Sequence, residues 1–296
     1  KAPFAETFLK WRNVRWMIVA LFGIMMAQGA VWYSGFFYSQ FFMEKVLRVE
    51  PATVNLLMIG ATAVSAVLYC FFGWLSDKVG RKPVMIGGMA LAAITFFPAF
   101  HLMTQAANPD LDAASRNAPV VVVADPQTCS LQFDPVGKTK FTSSCDIAKS
   151  VLAGAGVPYA NEAAPAGTTA VVRVGQTVIP SVEGAGLPSA ELAAAKADVS
   201  TRLKAALAQA GYPEKADPEK KNMPLLFGVL VLFAVAATAL YGPQAAALVE
   251  LFPTKVRYTA MSFPYHIGTG WFGGFMPATA FAMVAATGDI YFGLWY

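Results

Sequence analysis

The sequence predicts an all-α polytopic membrane protein that carries a small α+β insert. The chain of 296 residues is 56% hydrophobic and only 14% charged, whereas soluble domains carry about 25% charged residues. Several apolar stretches are long enough to cross a bilayer, and most of the acidic residues are confined to one polar segment, 105–222. We therefore expect membrane helices in 1–104 and 223–296 and a separate domain in 105–222.

Five apolar stretches reach the roughly 20 residues that a helix needs to cross ~30 Å of hydrocarbon. None contains Asp, Glu, Lys or Arg, and they run over residues 16–43, 53–75, 84–102, 223–249 and 260–286. A sixth stretch begins near Ile290 and is cut off at Tyr296. Because the chain also begins without Met, we expect it to be a fragment of a longer polypeptide.

The short loops between these stretches predict the orientation in the lipid bilayer. Basic residues precede the first stretch and fill the loops at 76–83 and 250–258, whereas Lys45 and Arg48 on the opposite side are balanced by acidic residues. Basic loops stay in the cytoplasm, so residues 105–222 are expected outside. The net charge of +4 then follows from topology and gives no indication of a nucleic-acid partner.

The segment 105–222 has the composition of a small α+β domain. Strand-like runs occur at 119–124, 129–133, 168–174 and 176–180, and helical patterns at 146–152 and 190–210. Cys129 and Cys145, on the side expected to be oxidising, are predicted to form a disulfide, and two free thiols are the alternative. Cys70 is expected to pack within the second stretch. The segment contains no His and no catalytic or metal-binding constellation, so it is either a lid or docking surface or an inert insertion.

Polar and aromatic side chains inside the apolar stretches are candidates for a substrate cavity. An amide in hydrocarbon needs a partner, so it should face the bundle interior or a wet cavity. Helical spacing places Gln28 near Trp32, and Tyr241 near Gln244. The alternative for each is hydrogen bonding between helices. The complete set of cavity candidates is Gln28, Trp32, Tyr33, Tyr241, Gln244, Tyr265, His266 and Thr269.

The fifth stretch combines glycine and proline at high density. Four glycines lie between Pro264 and Pro277, at positions 268, 270, 273 and 274. Such a helix either bends to line a cavity or packs tightly against a neighbour. His266 lies in the same stretch and is expected to be a neutral hydrogen-bonding residue, and a proton relay is the alternative.

Two loops resemble the major facilitator superfamily. Gly73-Trp-Leu-Ser-Asp77-Lys78-Val-Gly80-Arg81-Lys82 resembles the loop between helices 2 and 3 that recurs between helices 8 and 9 of that family. The stretch 249–262 resembles the turn between helices 10 and 11. The following stretch 272–277 resembles the metabolite:proton symporter branch, which includes proline/betaine, dicarboxylate and shikimate permeases.

The resemblance implies the C-terminal six-helix half of a major-facilitator fold. The five stretches would be helices 7 to 11, Ile290 would open a truncated helix 12, and 105–222 would be a periplasmic insert between helices 9 and 10. The N-terminal half of the same transporter, where the family usually keeps its proton-coupling carboxylates, is then a missing partner. The implied location is the bacterial inner membrane.

The resemblance also implies a cytoplasmic charge network that breaks when the two halves rock. We expect it to comprise Gly73, Asp77, Gly80, Arg81, Lys82, Glu250 and Arg257. Static anchoring of topology by the positive charges is the alternative.

The sequence therefore predicts a secondary transporter for a small polar or charged metabolite, driven by a proton gradient and needing no cofactor. A membrane-anchored extracytoplasmic ligand-sensing or interaction module is the alternative function. An enzyme is not expected, because neither piece contains catalytic groups.

Overall fold

The computed structural model describes residues 3–133 and 140–296, and within them four helices are long and apolar enough to cross a membrane. After a short helix α1 (Pro3–Leu9), the first three are α2 (Trp11–Val46), α3 (Pro51–Val79) and α4 (Arg81–Ala107). The fourth is α8 (Met223–Leu251). These four correspond to the first four predicted stretches, each extended by several residues at one or both ends.

The helix α2 alternates between α-helical and π-helical geometry. Its π-helical turns lie at Leu21–Met25, Ser34–Tyr38 and Phe42–Val46. Between the first two lies a regular segment, Met26–Tyr33, which carries three of the predicted cavity residues. Wide turns of this kind are rare in helices and concentrate at functional sites.

The fifth predicted stretch is divided into shorter pieces. Helix α9 (Arg257–Ile267) continues as a π-helical segment, Gly268–Gly274, and helix α10 covers Met276–Thr287. The beginning of the sixth stretch forms only a single 3₁₀ turn, Phe292–Trp295. The glycines explain the division, because glycine destabilises a regular helix.

The segment between α4 and α8 is a small α+β domain. Its helices are α5 (Pro109–Asn117), α6 (Ser144–Gly154) and α7 (Ser189–Gln209). Its strands are β1 (Val120–Ala124), β2 (Ala160–Ala163), β3 (Val171–Val174) and β4 (Thr177–Pro180). The strand order is β2-β1-β3-β4. Strands β1 and β2 are parallel and connected through α6, whereas the other pairs are antiparallel.

The core of this domain lies between the sheet and the helices α6 and α7. Val122, Val172 and Ile179 face each other across three strands in register and are buried. Leu152 of α6 and Leu203 of α7 are fully buried. Alternating burial along β1 and β3 is the pattern expected of a sheet covered on one face.

Two predictions for this segment were wrong. Residues 129–133 are not a strand, because their hydrogen bonds go to the first turn of α6: Ser130 donates from its N–H and its hydroxyl to the two carboxylate oxygens of Asp146. The prediction also missed β2, whose four residues are all exposed. An exposed edge strand carries no apolar alternation by which it could be recognised.

The predicted disulfide is confirmed: Cys129 and Cys145 are bonded, with Cα atoms 5.2 Å apart. The bond ties the loop after β1 to the first turn of α6. The packing role predicted for Cys70 was wrong, because this side chain is exposed. It lies on a face of α3 that neighbouring parts of the described chain leave exposed.

The chain separates into two compact units. The first comprises Lys1–Gln40, Asn55–Phe100 and Pro224–Pro277, and the second comprises Phe41–Val54, His101–Met223 and Ala278–Tyr296. The second unit thus contains the α+β domain together with terminal turns of several apolar helices.

Within the second unit, the α+β domain supplies partners to the last turn of α10. Lys149 donates to the carbonyl of Ala286 at 3.1 Å, and Asn161 donates to the carbonyls of Ala286 and Thr287. The hydroxyl of Tyr159 donates to Ala285. A helix leaves its last carbonyls without internal partners, so these contacts complete the end of α10. Burial lowers the pKa of Lys149, and the nearby charge of Asp146 opposes that shift.

Two further helix ends are completed in the same unit. Asn222 donates from its N–H to the carbonyl of Ala106 in α4 at 2.8 Å. Asn108 donates to the carbonyl of Leu47, just beyond α2, at 3.0 Å. The α+β domain is therefore bonded to the ends of several apolar helices rather than attached only through its two chain connections.

We expect loss of the disulfide to loosen the α+β domain selectively. A crosslink of this loop length contributes roughly 3 kcal/mol by restricting the unfolded chain, so the double variant Cys129→Ser, Cys145→Ser should increase amide hydrogen exchange in β1 and α6 about 100-fold. Mass spectrometry of exchange in the purified protein measures this. Cys70→Ser is the matched control and should leave exchange unchanged; equal exchange in all three proteins would contradict the expectation.

Candidate functional site

Aromatic side chains from four helices meet within the first unit. Trp32 of α2 donates from Nε1 to the hydroxyl of Tyr69 in α3 at 3.0 Å, and the ring of Tyr69 lies edge-on to Tyr241 of α8, with centroids 5.6 Å apart. The hydroxyls of Tyr241 and Tyr265, from α9, are hydrogen-bonded at 2.9 Å. We name the following set the polar–aromatic cluster: Trp32, Tyr69, Tyr241, Tyr265, Gln28 and Gln244.

The two amides of the cluster are almost completely buried. Gln28 is 1% exposed and Gln244 is 2% exposed. The amide nitrogen of Gln244 lies 3.2 Å from the sulfur of Met25, which is a weak acceptor. Within residues 3–133 and 140–296, neither side-chain oxygen, Gln28 Oε1 or Gln244 Oε1, has a hydrogen-bond partner. Two strong acceptors are thus held away from water with their lone pairs unused, which is costly.

Helix geometry places Gln28 between two contacts that join α2 to α8. Met25, Gln28 and Trp32 follow the spacing of a single helix face. Met25 contacts Gln244 at one level, and Trp32 packs against Tyr241 at the other, with ring centroids 6.5 Å apart. Gln28 therefore lies between these two contacts along one face of α2.

Glycines allow α2 to approach the Gly268–Gly274 segment closely. A Cβ atom at Gly29 would lie 3.0 Å from the carbonyl oxygen of Gly268, and a Cβ at Gly268 would collide with Met25. A Cβ at Gly273 would collide with the ring of Tyr33. In contrast, Gly270 has no neighbour within 4 Å. Tight packing therefore accounts for Gly268 and Gly273, and Tyr33 occupies the space that Gly273 leaves.

The structure does not bring every predicted cavity residue into the cluster. The side chain of His266 is exposed and makes an edge-on contact with Tyr265, with centroids 5.4 Å apart. Thr269 donates its hydroxyl to the carbonyl of Tyr265 at 2.8 Å, so this hydroxyl is used within its own helix. Neither residue presents a free polar group to Gln28 or Gln244.

Two residues of the site were not predicted from sequence. Tyr69 lies in the middle of the second apolar stretch, and its phenolic hydroxyl in that position was the available signal. Ser76 is buried, donates to the carbonyl of Gly73 at 2.7 Å and accepts from Arg81 at 2.8 Å. A serine near a loop is common, so the sequence offered no comparable signal for Ser76.

At the end of α3, Arg81 joins two acidic side chains. Its guanidinium forms an ion pair with Asp77, one turn earlier, and its Nε lies 3.3 Å from Glu250 Oε1 near the end of α8. The side chains of Asp77 and Glu250 are 62% and 59% exposed, so water and salt screen both pairs. These contacts can therefore be broken at small cost.

Among the residues that the structure describes, Gly80, Arg257 and Lys82 of the predicted network form no ion pair with the acidic side chains that Arg81 contacts. Gly80 has a φ of 96°, a conformation that favours glycine, and it separates α3 from α4. Arg257 donates to the carbonyl of Phe252 at 3.1 Å, which fixes the turn between α8 and α9. Lys82 is exposed and forms no ion pair within the part of the chain that the structure describes.

A separate cavity of about 850 Å³ lies in the second unit. Arg48 lines it in a left-handed conformation, with φ of 59°, and donates to the carbonyls of Gly154 and Ala155 at the end of α6. Burial lowers the pKa of Arg48, and the charge of Glu214 opposes that shift. The charged residues of the lining are Glu44, Arg48, Glu50, Lys204, Glu214, Lys215 and Lys221.

Among the described residues, no cluster of three or more His, Cys, Asp or Glu side chains could hold a metal ion. The polar groups described in the first unit are amides, phenols and an indole, together with the exposed ion pairs of Arg81.

Comparison with known proteins gives one match. The family model described as Major Facilitator Superfamily matches residues 20–116, a range that includes α3, α4 and the loop from Gly73 to Lys82. No curated protein and no solved structure matches the chain significantly. The match covers less than half of the chain and supports a membrane transporter in general.

The glycine contacts lead to a stability prediction. We expect Gly268→Ala to lower the free energy of unfolding by about 1–3 kcal/mol, because the added methyl group overpacks the contact with Met25. Gly270→Ala is the matched control in the same segment, and it should be neutral or slightly stabilising because its Cβ meets open space. Thermal unfolding of the purified protein measures both; equal midpoints would show that the close approach does not occur.

Proposed function

We propose that the protein is a secondary active transporter that moves a small polar or charged metabolite across the membrane by alternating access. The family match supports a transporter in general. The polar–aromatic cluster is the observation that carries the proposal further, because it gathers polar groups from four helices at a depth where hydrocarbon would otherwise favour apolar packing.

A structural scaffold would not need these groups. Buried amide oxygens without partners reduce stability, and an apolar side chain of similar size at Gln28 or Gln244 would pack without that cost. Polar groups within membrane helices are rare and mark substrate or ion pathways. The cluster is therefore better explained as a site that receives a ligand than as a device for holding the helices together.

We further propose that the ion pairs of Arg81 belong to a cytoplasmic gate. They join Arg81, the first residue of α4, to the end of α3 and to the end of α8, and each is exposed enough to open during a rocking movement. Asp77, Arg81 and Glu250 carry the gate in this proposal, Ser76 orients Arg81, and Gly73 and Gly80 shape the loop. Lys82 and Arg257 contribute positive charge that fixes topology.

The remaining parts of the proposal, which are proton coupling, cellular location and partners, rest on the resemblance of the two loops. Loops similar to those of metabolite:proton symporters support a proton gradient as the energy source, without a cofactor, in a bacterial inner membrane. An N-terminal half of the same transporter would supply the second side of the cavity and the proton-coupling carboxylates. The α+β domain would lie in the periplasm.

One observation favours a second function. The cavity of about 850 Å³ in the second unit is large enough for a small ligand, and side chains of both charges line it. A membrane-anchored ligand-sensing or interaction module is therefore the alternative. It predicts ligand binding without transport.

Uptake into membrane vesicles containing the full-length natural protein tests the transporter proposal. We expect accumulation of at least one compound from a panel of labelled carboxylates, betaines, amino acids and amines, and a protonophore should abolish it. Accumulation that survives the protonophore would contradict proton coupling alone. A correctly inserted protein that accumulates none of the compounds would favour the sensing module.

Substitutions at the gate test its assignment. Arg81→Gln removes both ion pairs, and Asp77→Asn removes the pair between α3 and α4. Each should therefore reduce the uptake rate at least tenfold, while the thermal unfolding midpoint stays close to that of the wild type. Lys78→Gln removes a charge from the same exposed loop and serves as the control, with uptake unchanged. Normal uptake in both gate variants would reject the assignment, and equal loss in the control would indicate a general effect of charge.

A further inference from the structure

Several donors of the polar–aromatic cluster are engaged, whereas two of its acceptors have no partner among the described residues. The indole N–H of Trp32 is bonded to Tyr69, the hydroxyls of Tyr241 and Tyr265 are bonded to each other, and the amide N–H of Gln244 points to Met25. Gln28 Oε1 and Gln244 Oε1 accept nothing within the described part of the chain. These two oxygens can therefore accept hydrogen bonds from a ligand.

The electrostatic character of the cluster also selects a class of ligand. The apolar stretches contain no Asp, Glu, Lys or Arg, so they offer no cation to a carboxylate or phosphate, and any attraction for a cation must come from dipoles and aromatic rings. Trp32, Tyr69 and Tyr241 instead contribute aromatic rings that contact one another, and the faces of such rings are electronegative and attract cations. Carbonyl oxygens of amides likewise favour positive groups with N–H bonds.

We propose that the polar–aromatic cluster binds a small protonated amine, whose N–H groups donate to Gln28 Oε1 and Gln244 Oε1 while its positive charge lies against the aromatic rings. This inference rests on the proposed transport function for its role, and it names the substrate class. It separates amines with N–H bonds from quaternary ammonium compounds, which carry the charge but cannot donate. It also excludes simple carboxylates.

Equilibrium binding to the purified full-length protein in lipid nanodiscs tests the ligand class. The probes are n-butylammonium, its N,N,N-trimethyl analogue and butyrate, which have alkyl chains of similar size. We expect butylammonium to bind at least tenfold more tightly than the trimethyl analogue, and butyrate to show no saturable binding. Equal affinity for the two cations, tighter binding of butyrate, or no binding of butylammonium would each overturn the proposal.

Variants of the two amides test the assigned atoms. Gln28→Met and Gln244→Met remove the acceptor at nearly constant volume and should each weaken butylammonium binding about tenfold. Gln40→Met is the control, because Gln40 lies on the same helix but donates to Asn55, and it should bind normally. Unchanged affinity in both cluster variants would overturn the assignment. Gln244→Glu tests the same atom should the methionine variants fail to fold, because its carboxylate should retain or strengthen amine binding. Loss of amine binding in a folded Gln244→Glu protein would contradict the assignment of Gln244.

The transport and binding results can be separated. In one outcome, vesicles accumulate no compound while the wild-type protein binds butylammonium and the Gln28→Met variant does not bind it. In that case the ligand assignment stands and the transporter proposal fails. If vesicles accumulate a carboxylate, and Gln28→Met and Gln244→Met leave that uptake unchanged, transport stands and the amine assignment fails.

Discussion

The need of every polar group to find a partner away from water determines this structure. Four helices long and apolar enough to span a membrane satisfy their backbone groups internally, as a bilayer demands. At the ends of helices, the last carbonyls lack partners within the helix and need donors from elsewhere. At the end of α10, Lys149 and Asn161 of the α+β domain donate to these carbonyls. Against this background, the unused oxygens of Gln28 and Gln244 are an exception that points to a missing donor.

A second constraint, close approach of backbones, explains why the cluster is assembled where it is. In hydrocarbon, helices gain little from apolar contact and rely on dense packing between small residues. Gly29, Gly268 and Gly273 provide that density between α2 and the π-helical segment after α9. Because this contact fixes α2 beside α9, Trp32 and Tyr265 can both reach Tyr241 of α8. The glycines thus hold the aromatic side chains in place without contacting them all directly.

The sequence predicted those features that are determined by local pattern and failed where tertiary contacts decide. Apolar length identified the four long helices, and two cysteines in a segment that was expected to lie outside the cytoplasm predicted the disulfide that the structure contains. Strand β2 was missed because an exposed edge carries no apolar alternation, and the strand predicted at 129–133 is absent because Ser130 bonds to Asp146 instead. Helical spacing placed Gln28 near Trp32, but no periodicity could show that Tyr69 completes the cluster or that His266 faces outward.

The ion pairs of Arg81 and the two buried glutamines differ in their exposure to water, and this difference fits the two roles proposed for them, a gate and a ligand site. Asp77 and Glu250 are largely exposed, so their pairs with Arg81 exchange readily with solvent and contribute little to stability. Gln28 and Gln244 are buried, where each unmet hydrogen bond is costly. A site that is to open and close needs the first kind of interaction, because a strong contact would hold a single state. A site that is to select a ligand needs the second, because only a buried, unsatisfied acceptor penalises a ligand that lacks the matching donor.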